Sequence, residues 1–346
     1  MRTLPINLTP VCRNIFNKRL PNNAIVRRCM IMKYVLLLFF AFIIGAAHAA
    51  TITVGSNGYN YTSIQAAINS ADPGDTIEVY EGTYRENVEV SKQLILMGIG
   101  WPVVNAGGAG SAISLLADGT VLEGFVVTDA GGGMDAGIKV LSNNNIITGN
   151  VARDNGFSGI GLAYNQNNTV ANNIAINNTG GIGLGSSRNN KILGNSVSNN
   201  WIGIALLSSS GNVIESNNAT DNGDDGIYLY CSINNIVQGN LVQLSGDDGV
   251  YLYSSGDSVI AGNQICNNGD GMYIEESENA TIYLNYLFYN RNNDAYDNGF
   301  NLWDNGTVGN YYSTFECNDS DGDMICDSSY AIPGGSSVDR YPIAFQ

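Results

Sequence analysis

The amino-acid sequence predicts an all-β chain that folds as a single-stranded right-handed parallel β-helix of about ten coils, with a short capping helix at its N-terminal end. Three repeated patterns predict this fold. Asparagines recur every 22 or 23 residues from position 150 to position 285, and a second polar set keeps the same step. A glycine followed by alternating apolar residues recurs in a third register. Because the three registers share one period, each period is expected to form one structural unit.

Each unit is expected to form one coil of three short strands. Apolar residues alternate over short stretches, Asn and Gly mark the bends, and no helical period is present. Like positions of successive coils then stack about 4.8 Å apart. A leucine-rich repeat has a similar length, but its leucine frame and helical half are missing. The first asparagine set is Asn150, Asn173, Asn195, Asn217, Asn240, Asn263 and Asn285. The second set is Asn155, Asn178, Asn200, Asn222, Ser245, Asn268 and Asn290, and the glycines are Gly159, Gly181, Gly203, Gly226, Gly249 and Gly271.

The recurring asparagines are interpreted as structural. An inward-facing Asn at a bend can adopt unusual backbone angles, and its amide can bond to the amides of the coils above and below, which forms a ladder. We therefore expect these residues to hold the coils together rather than to bind a ligand.

The residues before the regular repeats are expected to close the end of the β-helix. The segment from Ser63 to Ala71 has helical spacing, with Ile64, Ala67 and Ile68 on one face, and a Pro-Gly turn follows it. A helix here would cover the open end of the core. The first, less regular coils are predicted to use the strands Thr76–Tyr80, Val88–Val90, Leu94–Met97 and Val121–Val127.

The N-terminal residues are predicted to direct export. Lys33 precedes an apolar run that ends in small residues before Ala50, which is the order of a signal peptide, cleaved near Ala49. The run is shorter than the roughly 20 residues that span a bilayer, so no membrane span is expected in the mature chain. The basic segment before this run is long for a signal peptide, and translation from Met30 or Met32 would give it a more usual length. The predicted parts are a signal peptide (1–49), a β-helix with its N-terminal cap (50–300) and an Asp-rich C-terminal cap (301–346).

Composition excludes several classes of function. The 346-residue chain has a formal net charge of −16, and from Ala50 onward eight basic residues stand against 31 acidic ones, a net charge of −23. Nucleic acid and anionic lipid are therefore not expected as partners, because both require basic surface. The only histidine is His48, inside the predicted signal peptide, so histidine-dependent triads and His-ligated zinc sites are excluded from the mature chain.

Three segments carry a resemblance to a known family. They are the run from Tyr61 to Val90, the Asn-rich coils and the tail from Gly309 to Pro342, which contains Gly-Asn-Tyr-Tyr-Ser and Asp-Arg-Tyr-Pro. Over nearly the whole mature chain the sequence resembles the NosD-type right-handed β-helix proteins, a carbohydrate-binding and sugar-hydrolase class with a pectin-lyase-like fold that is abundant on archaeal cell surfaces. The resemblance implies the fold and a secreted or cell-surface location. The copper role attached to the family name is not expected here, because the mature chain lacks histidine.

One stretch of coils carries acidic and aromatic side chains together. Five aspartates precede the recurring glycines, and tyrosines follow them on the outward side. Stacked carboxylates repel, so either a cation neutralises them or some pKa values rise. The candidate catalytic residues are Asp225, Asp248 and Asp270, with Asp224 and Asp247 beside them. The candidate carbohydrate-binding residues are Tyr228, Tyr230, Tyr251, Tyr253 and Tyr273.

Three interpretations of this stretch remain open. It is a solvated acidic face beside a stabilising aromatic stack, a sugar-binding face, or a catalytic site. Aspartates in neighbouring coils would lie about 5 Å apart, and those two coils apart roughly 9.5 Å, close to the spacings of retaining and inverting glycosidases. The Gly-Asp-Asp-Gly runs resemble the paired acids of β-helical polygalacturonases, but the Gly-His-Gly and Arg-x-Lys motifs of those enzymes are missing. A lyase would need a base, and Arg153, Arg188 and Lys191 lie away from the strip.

The C-terminal tail contains an Asp-rich loop. Its alternating oxygen ligands suit Ca²⁺, although it is not an EF-hand, and a solvated acidic turn is the alternative. Cys317 and Cys326 bracket the loop and are predicted to pair in an exported chain, whereas Cys231 and Cys266 are expected to be separate thiols. The candidate metal ligands are Asp319, Asp321, Asp323 and Asp327.

The predicted function is that of a secreted or cell-surface protein that binds polysaccharide or a cell-envelope glycan on the Tyr/Asp face, with Ca²⁺ as cofactor. The first alternative is a structural or adhesion protein of the envelope whose β-helix is a rigid spacer. The second is a polysaccharide hydrolase or lyase that uses the stacked aspartates. Sequence patterns leave the glycan and the oligomeric state open.

Overall fold

A computed structural model describes residues 49–344, and these residues form a parallel β-helix of about 11 turns. The predicted signal peptide lies outside the described residues. Three parallel sheets of 12, 10 and 11 strands run along the β-helix, and hydrogen-bonded neighbours in each sheet come from successive coils. The prediction of an all-β parallel β-helix is confirmed.

The three sheets are called sheets 1, 2 and 3, and along each coil the chain passes from sheet 1 to sheet 3 and then to sheet 2. Sheet 1 contains Thr51–Val54, Thr76–Tyr80, Ile95–Ile99, Val121–Glu123, Ile146–Thr148, Thr169–Ala171, Lys191–Leu193, Val213–Glu215, Ile236–Gln238, Val259–Ala261, Glu278–Tyr283 and Phe300–Leu302. Sheet 2 contains Val88–Val90, Ile113–Leu115, Ala136–Val140, Ser158–Ala163, Gly180–Gly185, Ile202–Leu207, Ile227–Tyr230, Asp248–Tyr253, Asp270–Glu275 and Ala295–Asp297. Sheet 3 contains Thr83–Tyr84, Val103–Asn105, Val126–Thr128, Val151–Arg153, Ile174–Ile176, Ser196–Ser198, Asn218–Thr220, Leu241–Gln243, Gln264–Cys266, Tyr286–Phe288 and Tyr311–Tyr312. A short antiparallel pair, Tyr330–Ala331 and Val338–Asp339, follows in the tail.

The core is a set of apolar columns inside the three sheets. Each short strand turns its central residue inward, and in-register pairing places that residue directly over its counterpart in the next coil. One such column in sheet 1 has no exposed surface, and its members are Val170, Ile192, Ile214, Val237, Ile260 and Ile282. Close burial of branched side chains along the column stabilises every coil against its neighbours.

The predicted capping helix is present as α1 (Ile64–Ser70). Ser63 is its N-cap, and its hydroxyl accepts the backbone N–H of Ala66. Ile64, Ala67 and Ile68 are buried and cover the N-terminal end of the core, as the helical spacing predicted.

The early strands agree with the predictions except at two points. Thr76–Tyr80 and Val88–Val90 form as expected. The third strand is Ile95–Ile99, one residue later than predicted at its start. The predicted strand Val121–Val127 divides into two, because Gly124 has a φ of +82° and turns the chain between sheets 1 and 3. The stacked strands continue to Tyr312, past the expected boundary at residue 300.

The asparagines form ladders with a repeated bonding pattern. The Asn217 side-chain oxygen accepts both the backbone N–H and the Nδ2 group of Asn195, at 2.9 Å each. Asn217 in turn donates its backbone N–H and its Nδ2 to the oxygen of Asn240. Its Nδ2 also donates to the Ile192 carbonyl inside the coil, 2.8 Å away. Every amide group of the ladder is therefore satisfied without water.

The unusual backbone angles lie one residue before the ladder, not on it. The expectation that the inward asparagines themselves adopt such angles is not met. The residue that precedes each member of the first set has a φ between +55° and +66°, and these residues are Gly149, Asn172, Gly194, Ser216, Gly239, Gly262 and Leu284. The left-handed residue turns the corner, and the next residue points inward to carry the amide.

Two further ladders follow the same period. One occupies the corner before sheet 1 and consists of Asn145, Asn168, Asn190, Asn212, Asn235 and Ser258. The other follows sheet 2 and consists of Asn165, Ser187, Ser209, Ser232, Ser255 and Ser277. Serine hydroxyls accept the backbone N–H of the preceding coil there, as the asparagine oxygens do elsewhere.

Three inward columns end on buried aspartates. The first set continues from Asn285 to Asn310, the second ends at Asn290, and in the column of Ser258 the Ala280 N–H donates to Asn301. Asn290 donates its Nδ2 to Asp294, Asn301 to Asp297, and Asn310 to Asp339. Each of the three carboxylates is less than 2% exposed. An ionised carboxylate only accepts hydrogen bonds, so it satisfies the last amide donors without needing a further coil.

The recurring glycines occupy positions that exclude a side chain. A Cβ atom at Gly249 would lie 2.5 Å from Ile265, 2.6 Å from the Gly271 carbonyl oxygen and 2.7 Å from Asn268.

Gly249→Ala should therefore lower the free energy of unfolding by about 1–3 kcal/mol, because the coil above has to move. Urea unfolding checks this. Gly161→Ala is the control, since its nearest contact would be an ordinary 3.4 Å; an equal loss in both variants would contradict the steric explanation.

The tail is closed by the predicted disulfide. Cys317 and Cys326 are bonded, with Cα atoms 5.3 Å apart. Cys231 is exposed and Cys266 is buried, and both are free thiols, as expected. Among residues 49–344 there is no helix long and apolar enough to cross a membrane.

Candidate functional site

The candidate site lies on the outer face of sheet 2, in its last four coils. Tyr228, Tyr251 and Tyr273 pair in register on neighbouring strands, and their ring centroids are 5.3 and 5.7 Å apart. Tyr296 continues the row, with its ring stacked 4.5 Å from that of Tyr273. We call these four residues the tyrosine row. In-register pairing of parallel strands produces it, because like positions stack.

A second, shorter row lies beside the first. The rings of Tyr230 and Tyr253 are parallel within 7° and their centroids are 5.5 Å apart. Glu275 takes the next position, and its carboxylate accepts the hydroxyl hydrogen of Tyr251 at 3.0 Å. All five predicted tyrosines therefore share one face.

The structure also brings the aspartates together, on the side of the tyrosine row where sheet 2 begins. Oxygen atoms of Asp224, Asp225 and Asp247 lie within 4.8 Å of one another, and so do those of Asp247, Asp248 and Asp270. We call the five residues the acidic strip. Asp247 belongs to both groups, so the strip is continuous across three coils.

The key carboxylates are buried rather than solvated. Asp225, Asp248 and Asp270 are 5, 5 and 8% exposed, whereas the sequence indicated an outward acidic strip. The physical reason is the glycine that follows each aspartate. Gly249 and Val250 both face the interior, so strict alternation is broken and Asp248 lies at the corner, close to the ring of Tyr251.

The three candidate catalytic aspartates have different environments. Asp270 is held by Asn293, whose backbone N–H and Nδ2 both donate to it, and by Asn292. Asp225 accepts only the backbone N–H of Asp248, at 3.3 Å. The Asp248 carboxylate accepts no hydrogen bond from any residue in the described range. The structure thus singles out Asp248 as a buried carboxylate without a protein partner.

Burial and repulsion raise the pKa values of two of these groups. The pKa of Asp248 is raised to about 8, mainly by loss of solvent and then by the charges of the neighbouring aspartates. The pKa of Asp225 rises to about 7, again mainly through burial and then through Asp224. The pKa of Tyr228 rises to about 12 through burial and the charge of Asp225. At neutral pH the strip therefore holds protons or takes a cation.

Three residues at the site did not emerge from the sequence patterns. The Arg291 guanidinium donates to the Gly246 carbonyl at 2.6 Å, beside Asp247, and is the basic group at the strip. Trp201 is 56% exposed and its ring lies over Gly223, next to Asp224. Tyr296 extends the tyrosine row. Its step of 23 residues from Tyr273 is the signal that could have found it, whereas Arg291 and Trp201 each occur in one coil only.

The tail loop separates its four predicted metal ligands. Oxygen atoms of Asp319, Asp321 and Asp323 lie within 4.8 Å of one another. Asp327 is not part of that group; it accepts the Nδ2 of Asn318 and the backbone N–H of Ser320, which closes the loop. Three carboxylates thus lie close enough together to hold a hard cation, whereas Asp327 stabilises the loop through its hydrogen bonds.

The residues present do not fit copper. Copper sites in proteins are built from histidine, cysteine or methionine ligands gathered at one place, and residues 49–344 contain no histidine. Met272 is completely buried in the core, Met134 is 82% exposed on a loop, and Cys266 is buried. The soft donors are therefore not assembled at one place in the described chain.

Comparisons with known proteins agree with the fold. Residues 180–317 match the family described as periplasmic copper-binding protein (NosD), and residues 111–248 match the right-handed β-helix region family. A cell surface glycoprotein of Methanothermus fervidus is 34% identical over 101 residues, which is 28% of this chain and 17% of that protein. The matched region therefore spans about a sixth of that glycoprotein.

Two solved structures share the architecture. An alginate lyase from Paenibacillus sp. str. FPU-7 superposes with a TM-score of 0.59 at 17% identity, over 73% of this chain and 99% of that one. A GH136 lacto-N-biosidase from Eubacterium ramulus gives a TM-score of 0.54 at 14% identity, over 79% of this chain and 67% of that one. At such identities the likeness concerns the fold. The repeat, the three stacked sheets and the family matches show that the chain is a right-handed parallel β-helix protein, which is similar to the NosD family over residues 180–317.

Proposed function

We propose that this chain is an exported cell-surface or secreted protein that binds polysaccharide on the tyrosine row and acidic strip, with Ca²⁺ as its cofactor. The observation that carries the proposal is Asp248, a buried carboxylate without a hydrogen-bond partner among the described residues, next to stacked tyrosine rings. The charged form of such a group is costly at a buried position unless a ligand or cation neutralises it; otherwise the group keeps its proton at neutral pH. The cell surface glycoprotein relative and the polysaccharide-acting neighbours in fold support the same class of ligand.

The two rows of side chains supply the two kinds of contact that a sugar needs. Tyrosine rings offer flat apolar faces with a polar hydroxyl at one end. Carboxylates accept hydrogen bonds from sugar hydroxyls, and a protonated Asp248 also donates one. Tyr230 and Trp201, 40 and 56% exposed, extend the aromatic surface on either side of the strip. The arrangement spans several coils, which fits an extended chain better than a single small molecule.

Calcium explains how such an acidic face would hold a glycan. Ca²⁺ prefers six to eight oxygen ligands, many of them carboxylates. The two aspartate groups of the strip and the tail loop of Asp319, Asp321 and Asp323 offer such oxygens. A bound Ca²⁺ would also allow a uronate glycan to approach, because it offsets the repulsion between carboxylates of protein and ligand.

Removing the tyrosine row should abolish glycan binding. Tyr251→Ala with Tyr273→Ala deletes the centre of the stacked surface, so a panel of neutral and uronate polysaccharides should no longer deplete the protein from solution, with or without Ca²⁺. Tyr164→Ala is the control, since Tyr164 is 82% exposed and lies in a different corner of the β-helix. Retention of every glycan by the double variant would refute binding at this face.

A second candidate function is hydrolysis or elimination of the glycan. One observation favours it: Asp225 and Asp248 lie in neighbouring coils with pKa values of about 7 and 8, so each can hold or release a proton at neutral pH. Arg291 adds the basic group that a lyase uses. Incubation with the same panel should then release new reducing or unsaturated ends, and Asp248→Asn should stop their release. Binding without new ends would indicate a binding protein. If the protein neither binds the glycans nor releases new ends, the rigid envelope spacer is the remaining interpretation.

A further inference from the structure

The first ordered strand begins at a residue whose amide meets a buried carboxylate. The Ala50 carbonyl accepts the backbone N–H of Thr76 at 2.8 Å, which starts the pairing of sheet 1. The Ala50 backbone N–H donates to Oδ1 of Asp75 at 2.7 Å. Ala49 and Ala50 are both exposed, so the peptide bond between them is accessible. The folded β-helix therefore uses the chain from the Ala50 nitrogen onward.

Asp75 is arranged as an anion without a salt-bridge partner among the described residues, although the charge of the nearby Lys92 also lowers its pKa. It is 7% exposed, and its second oxygen accepts the backbone N–H of Asp72 at 2.9 Å. These backbone donors hold the pKa of Asp75 below its usual value. Within the described range no lysine or arginine pairs with it, and the nearby Lys92 amino group donates to the helix carbonyls of Ile68, Asn69 and Ala71.

We propose that the chain is cleaved between Ala49 and Ala50 and that Asp75 then binds the new α-ammonium group. Water supplies the second reactant: the C–N bond of the Ala49–Ala50 peptide breaks, Ala49 leaves with the new carboxylate, and the Ala50 nitrogen takes up protons to become an ammonium ion. The sequence Ala47-His48-Ala49 has the small residues that a signal peptidase accepts before the cleaved bond. The inference rests on the predicted export and is independent of glycan binding.

The consequence is an ion pair that exists only in the processed protein. Before cleavage, one neutral N–H faces Oδ1 of Asp75; afterwards, a positive charge with three N–H donors stands at the same atom. A charge-assisted hydrogen bond of this kind is stronger than a neutral one. Cleavage would thus hold the first strand against α1 and against the first coil. This contact lies at the end of the β-helix that α1 covers.

The cleavage site can be tested on exported protein. The full chain is expressed with its N-terminal residues in a host that secretes it, and the intact mass and N-terminal sequence of the product are determined. We expect a chain that starts at Ala50. A start at any other residue overturns the proposal, because the ammonium would then stand away from Asp75.

The ion pair is tested separately by the reactivity of the α-amino group. An unpaired α-amino group has a pKa of about 7.7–8.0, and pairing with Asp75 should raise it by at least about one unit, which slows amine labelling near pH 7 about tenfold. Asp75→Asn should restore fast labelling, while Asp72→Asn, a neighbouring exposed carboxylate, should not. Equal labelling rates in the wild-type protein and Asp75→Asn would overturn the pairing.

A stability measurement covers the case in which Asp75→Asn does not fold. A raised amine pKa means that the ion pair stabilises the fold below about pH 8, the unfolded value, and that this contribution disappears as the pH rises through the folded value. Protein acetylated at the Ala50 nitrogen should therefore unfold at a lower temperature than free protein at pH 6.5. The two should converge above the raised pKa, and coincidence at both pH values would contradict the proposal.

Discussion

Asn217→Ala should lower the free energy of unfolding by about 4 kcal/mol, one of the largest single-residue losses expected for this chain. Asn217 is 1% exposed, and removal of its side chain leaves the Asn195 N–H without an acceptor and takes away the side-chain donor of the Ile192 carbonyl. One hydrogen of the Asn195 amide also loses its partner, so two buried donors are left unsatisfied. Each unsatisfied buried group costs about 1–3 kcal/mol. Urea unfolding measures the loss, and the melting temperature should fall by roughly 10 °C.

The adjacent residue provides a matched control. Asn218 is exposed in the strand Asn218–Thr220, and its side chain contacts only the Thr220 hydroxyl. Asn218→Ala should change stability by less than about 0.5 kcal/mol, as is usual for surface substitutions. If the two variants lose the same amount, the ladder is not what holds the coils together.

Asp248→Asn should make the protein more stable at pH 8, although it removes a charge and not a contact. In the wild-type protein the folded pKa of about 8 lies above the ordinary value of 3.8. Between those two values the unfolded chain is ionised at Asp248 while the folded chain stays protonated, so stability is greatest at low pH and falls as the pH rises towards 8. Asparagine does not titrate. The variant should therefore gain at least about 2 kcal/mol at pH 8 and show a flatter pH profile.

The measurement is urea unfolding at several pH values between 4 and 9. Asp221→Asn is the control, because Asp221 is an exposed carboxylate in an adjoining coil. Ca²⁺ should stabilise the wild-type protein at pH 8 by binding the ionised strip, and should stabilise Asp248→Asn less. A variant with the wild-type pH profile would show that the ionisation of Asp248 is not what lowers the free energy of unfolding as the pH rises.

Much of the fold could be predicted because identical residues recur at a fixed step. The ladders through Asn150 and Asn155 keep asparagine in nearly every coil, so their period is visible by counting. The ladder that follows sheet 2 was missed because serine replaces asparagine from Ser187 onward, and serine is common enough elsewhere to hide the step. Serine and asparagine both place an inward oxygen that accepts a backbone N–H. Because they are different residue types, counting one type does not reveal the step.

The candidate site was predictable in composition but not in exposure. Period alone placed Tyr251 over Tyr228 and Asp248 over Asp225. It could not show that the aspartates are buried, because strict strand alternation does not describe the corner at Gly249. It also could not show that Asn292 and Asn293 satisfy Asp270 while Asp248 is left alone, since those contacts come from a loop outside the repeat.

The aspartates at the ends of the ladders also determine whether one molecule can join another. A stack of parallel coils is an open template, and a second copy could in principle continue it into a fibre. Asp294, Asp297 and Asp339 accept the last amide donors of their columns and offer no donor of their own. A further coil would therefore find no free ladder amide at this end, which disfavours end-to-end polymerisation. The same carboxylates that complete the internal bonding thus also limit the stack of coils to the length of one molecule.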